Sequence, residues 1–64
     1  MNTKNAETYR RNVERIKAVY PNKELLTIKD VAQFLGRSNN FVARTYPFRN
    51  RMISVATLAS YLTA

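Results

Sequence analysis

The chain has 64 residues, no Cys, no His and four acids: Glu7, Glu14, Glu24 and Asp30. A chain of this length forms one small domain, spanning residues 1–64, that buries only about 60% of its unfolded surface. It has no thiols for a disulfide framework or a zinc site, and it lacks both the commonest general base and the commonest metal ligand. Nor does it have an apolar run near the ~18 residues of a membrane span or a signal-peptide apolar segment. The composition argues against an enzyme, a bound cofactor or a metal. It favours a soluble intracellular binding module.

Charge supplies the positive clue. Eleven Lys and Arg give a formal net charge of +7, a field that draws polyanions, and nucleic acid is the usual intracellular one. Residues 31–64 carry Arg37, Arg44, Arg49 and Arg51 and no acid. Arginine suits bidentate contact with phosphate and guanine. The plainer alternative is a basic surface that only keeps a small protein soluble.

In chain order, Ala6, Tyr9, Val13, Ile16 and Val19 or Tyr20 recur every three or four residues. This predicts a helix from about Asn5 to Val19 with one inward stripe. Arg10, Arg11, Glu14, Arg15 and Lys17 fall mainly on its other side, as a solvated face. Pro21 ends the segment.

A second helix is marked by Thr27 as N-cap, with Asp30 three residues later to close a reciprocal cap. Leu26 before the cap is placed to staple onto Val31. Ile28, Val31, Ala32 and Leu35 make the buried stripe, and Gly36 follows where a left-handed C-terminal cap suits a residue without Cβ.

Ser38 then caps a third helix, Asn39 through Tyr46, which Pro47 stops. Val42 faces inward with either Phe41 or Thr45 to Tyr46, leaving Asn39, Asn40, Ala43 and Arg44 outward. Two helices around a tight Gly-containing turn, the second with a polar outer face, form the helix-turn-helix pattern. In that pattern the first helix braces the second, whose outer residues meet base edges in the major groove. A plain helical hairpin, with both asparagines serving only as turn and capping residues, is the alternative.

Beyond Pro47, Asn50 marks a turn between Arg49 and Arg51, and predicts a very short hairpin or extended loop. Ser54 then caps a closing helix with Val55, Leu58, Ala59 and Leu62 inward. Val31, Leu35, Val42, Leu58 and Leu62 are the expected core.

The stretch Leu26-Thr-Ile-Lys-Asp-Val-Ala-Gln-Phe-Leu-Gly-Arg-Ser resembles the opening helix and turn of the MerR-like and excisionase-like winged helix domains. Ile53-Ser-Val-Ala-Thr-Leu-Ala-Ser-Tyr-Leu resembles their closing strand and helix. The likeness covers about residues 25–63 and leaves the N-terminal helix, within residues 1–21, outside it. It implies a helix-turn-helix, a wing and a closing helix. With the periodic N-terminal helix before them and a wing that is very short in this chain, the expected fold is mainly α.

Carried onto this chain, the DNA-facing positions are Asn39, Asn40, Ala43 and Arg44, and the wing contacts are Arg49 and Arg51. Ser38 and Asn50 complete the expected DNA-binding set, together with Arg37, which stands where many relatives have an apolar residue. Excisionases of this type are chains of this size that bind duplex DNA near attachment sites, bend it and direct an integrase towards excision. The resemblance thus implies an integrase partner, and a location in the bacterial cytoplasm with the nucleoid. One minimal module covers roughly 600–1,000 Å², so cooperative self-association on repeated sites is expected. Two other functions are compatible with the residues. One is a small phage or bacterial transcriptional regulator on an operator. The other is a protein-interaction module using its apolar helices with Tyr9 and Tyr20.

Overall fold

Pro21, Gly36 and Pro47 punctuate the chain where its helices stop. The computed structural model describes residues 3–63, with side chains from residue 5. The expected domain bounds, residues 1 and 64, lie outside these. In order, the elements are α1 (Thr3–Val19), β1 (Leu25–Thr27), α2 (Ile28–Leu35), α3 (Asn39–Thr45), β2 (Met52–Ser54) and α4 (Val55–Thr63). The fold is mainly α, with the helix-turn-helix, the very short wing and the closing helix in the expected order.

β1 and β2 pair antiparallel, with Leu25 opposite Ser54, Leu26 opposite Ile53 and Thr27 opposite Met52. The Val55 N–H extends the ladder by donating to the Glu24 carbonyl at 3.0 Å. Leu26 and Ile53, the middle residues of the two strands, both point into the core. Three-residue strands alternate too briefly to mark themselves, so the sequence did not show β1. β2 was expected, from the turn at Asn50 and from the closing strand that the Ile53 stretch resembles.

The core gathers Ile16, Leu26, Val31, Val42, Ile53, Val55 and Leu58, with Ala32 and Ala59 filling between them. α1 packs along α4, and α2 packs on α3 and β1. Leu35 and Leu62, expected in the core, are only partly buried and lie against it. Tyr9 and Val19 are also more exposed than their stripe implied, at 36% and 54%.

Asn12 takes a buried place on the same helical face, at 6% exposure. Its amide donates to the Thr63 hydroxyl at 3.1 Å, and its carbonyl accepts from Arg15 at 3.3 Å. A polar residue breaks an apolar pattern, so the stripe appeared to pass it by. Tyr20 lies beyond the helix end, and its hydroxyl donates to the Asp30 carbonyl at 2.9 Å. That bond ties the end of α1 to the first turn of α2.

Candidate nucleic-acid interface

The helix-turn-helix is set by local capping. The Thr27 hydroxyl accepts from the Asp30 N–H at 3.0 Å, and the Asp30 carboxylate accepts from the Thr27 N–H at 3.1 Å. This reciprocal cap satisfies two N–H groups that a helix start leaves open. Lys23 donates to the same carboxylate at 3.0 Å. Burial pushes the Asp30 carboxyl up, but the Thr27 N–H and the Lys23 ammonium outweigh it and hold the group below its ordinary value. At the other end Gly36 takes φ +68, and the Arg37 N–H closes onto the Ala32 carbonyl at 3.0 Å.

Ser38 caps α3 by accepting from the Phe41 N–H at 3.1 Å. The capping work is therefore done by Ser38. Asn39 and Asn40 are exposed, and among the described residues their side chains make no hydrogen bond. The Arg37 guanidinium stacks over the Phe41 ring, 3.8 Å from its centroid, a cation–π contact that holds it against the side of α3.

The wing is one turn deep. Arg49 and Met52 exchange backbone hydrogen bonds at 2.8 and 2.9 Å, with Asn50 at φ +53 and Arg51 at φ +64 between them. Two central residues at positive φ mark the type I′ hairpin turn, in which Asn-Gly is the favoured pair. Asn50 fits that preference. Arg51 does not, because a side chain with Cβ costs about 1–2 kcal/mol in this region. Beyond the turn the strand finds its partner in β1, so the wing has no second ladder of its own.

A concavity of about 440 Å³ joins three parts of the chain. α3 contributes Asn39, Asn40 and Ala43, and the wing contributes Arg51 and Met52. The start of α2 contributes Thr27, Ile28 and Lys29, which the sequence reading left out. Helical spacing alone puts Lys29 outward, since the stripe through Ile28, Val31 and Ala32 faces the core, but its meeting with Asn39 depends on the turn between α2 and α3.

Other expected residues stand apart from this concavity. Arg49 and Asn50 line a different hollow, with Leu25, Pro47 and Thr57, so the two wing arginines diverge. Arg44 is exposed one turn on from Asn40 and lines neither hollow. A larger hollow of about 720 Å³ between α1 and α4 is floored by Ala6, Tyr9 and Val13. It holds none of the expected site residues, and Arg10 is the one cation among the described residues that line it.

Among the described residues no acid lines the concavity, and the Asp30 carboxylate, bonded to the Thr27 N–H at its edge, is neutralised by Lys23. Glu24 pairs with Lys17 at 2.7 Å and Asp30 with Lys23 at 3.0 Å, while Glu7 and Glu14 lie on α1. Among the described residues, Lys29, Arg44, Arg49 and Arg51 make no ion pair. No three His, Cys, Asp or Glu side chains gather as a metal site there, and no described helix is long and apolar enough to cross a membrane. Compared with known proteins, the chain matches no family model, no curated protein and no solved structure.

Proposed function

We propose that this chain is a sequence-specific DNA-binding protein without catalytic activity, acting as an excisionase-like architectural factor. The observation that carries the reading is the acid-free concavity where α3's outer residues, Lys29 and Arg51 meet. A duplex would bring base edges to Asn39, Asn40 and Ala43, and phosphates to the cations around them. The strained backbone at Arg51 supports the same reading, since a turn selected for stability alone would carry glycine there. The excision role rests on the resemblance of residues 25–63.

The test is selection of bound duplexes from a random pool at near-physiological salt, followed by an excision assay on the site recovered. Short motifs in repeated, evenly spaced copies, with excision that depends on the protein, would support the proposal. A single palindrome overlapping a promoter would move it to an operator-binding regulator. No enrichment, with binding insensitive to salt, would remove nucleic acid as the ligand.

A further inference from the structure

Each base edge in the major groove demands a particular partner. Cytosine presents a donor and calls for an acceptor, commonly a carboxylate. Guanine presents two acceptors and calls for the paired donors of Arg or Lys. Adenine presents one donor and one acceptor, which an amide matches from a single group, and thymine adds a methyl that an apolar side chain covers.

Of α3's outward residues, the concavity takes two amides and one methyl, Asn39, Asn40 and Ala43, while Arg44 is exposed outside it. Both amides are free of capping duty, because Ser38 performs it. Ile28 and Met52, half-buried, border the same concavity and extend its apolar part. No carboxylate lines it. Its two cations, Lys29 and Arg51, come from the start of α2 and from the wing. These are elements that in helix-turn-helix and winged docking lie along the sugar-phosphate backbone.

Resting on the DNA-binding reading above, we propose that this surface reads A·T base pairs, through adenine N6 and N7 at Asn39 and Asn40 and through a thymine methyl at Ala43. Lys29 and Arg51 hold the flanking phosphates. Arg44, exposed one turn on from Asn40 and outside the concavity, takes a phosphate as well.

The experiment uses the full chain and a duplex bearing the motif that selection enriches, with binding read by fluorescence anisotropy. Three modified duplexes probe the edges: uracil for thymine, which removes only the methyl; 7-deazaadenine, which removes N7; and 7-deazaguanine as the counterpart. The first two should each weaken binding, by roughly five- to tenfold for 7-deazaadenine and less for uracil, while 7-deazaguanine leaves it unchanged. Ala43→Gly, checked for folding by circular dichroism, should bind the thymine and uracil duplexes equally. A G·C-rich motif weakened by 7-deazaguanine would overturn the A·T readout and leave DNA binding standing. Binding that shows neither a motif nor a salt dependence would overturn both.

Discussion

Arg49 and Met52 exchange both of their backbone hydrogen bonds, and the turn they close holds Arg51 at φ +64. Glycine at that position removes the Cβ conflict. Arg51→Gly is therefore expected to raise stability by about 1 kcal/mol and the melting temperature by roughly 4–8 °C, while weakening duplex binding. Thermal melts and anisotropy on the same preparation separate the two effects. A glycine variant no more stable than the parent would show that the turn carries no strain.

The ion pairs divide the cations into two groups. Lys29→Ala and Arg51→Ala should each lower the slope of log affinity against log salt by roughly 0.9, one phosphate each. Lys17→Ala should leave the slope unchanged, because Lys17 is bound to Glu24 and to the Lys23 carbonyl. Equal slopes for all three variants would place the phosphates elsewhere.

Asn12 joins α1 to α4 through the Thr63 hydroxyl, which in turn donates to the Ala59 carbonyl at 2.7 Å. Asn12→Ala removes the tie and leaves a small void in the α1–α4 contact. A loss of about 1–2 kcal/mol is expected in urea unfolding, with α1 loosening first. Hydrogen exchange along α1 that matches the parent would argue that the tie does not hold this helix in place.

Gly36 has φ +68, and a Cβ built there meets nothing within 4 Å. The cost of Gly36→Ala is therefore one of backbone conformation alone, about 1 kcal/mol. Because packing is untouched, duplex affinity per folded molecule should stay the same. A larger loss would mean that the turn between α2 and α3 had shifted.

The Asp30 carboxyl is held below its ordinary value of 3.8. The unfolded chain therefore takes up this proton at higher pH than the folded one. The stability Asp30 contributes is fully present above that ordinary value and drains away as pH falls through the folded value. Urea midpoints taken from about pH 5 down to about pH 2 should fall more for the parent than for Asp30→Asn. Parallel curves would show that the cap does not sense the proton.

The helices were legible in the sequence because each announces its own ends. Thr27 with Asp30, Gly36, Ser38, Pro47 and Ser54 all act where their chemistry places them, the last accepting from the Thr57 N–H at 3.0 Å. The outward set Asn39, Asn40, Ala43 and Arg44 is exposed, as helical spacing required. Features that depend on distant partners were not legible. β1 exists because residues 52–54 arrive beside it, and Asn12 is buried because Thr63 stands opposite. Lys29 belongs with Asn39 only through the turn that folds α2 back on α3. The divergence of Arg49 from Arg51 follows from two backbone angles that a string of letters does not carry.

The pairing of Leu26 with Ile53 has one more consequence. Everything that would touch DNA lies between these two residues, in a loop whose ends are brought together only when the strands meet. Closing that loop costs entropy that the short helices inside it do not recover alone. The proposed reading surface and the hydrophobic interior must therefore appear in one cooperative event. A peptide cut to residues 28–51 would have the side chains for recognition but no means of presenting them.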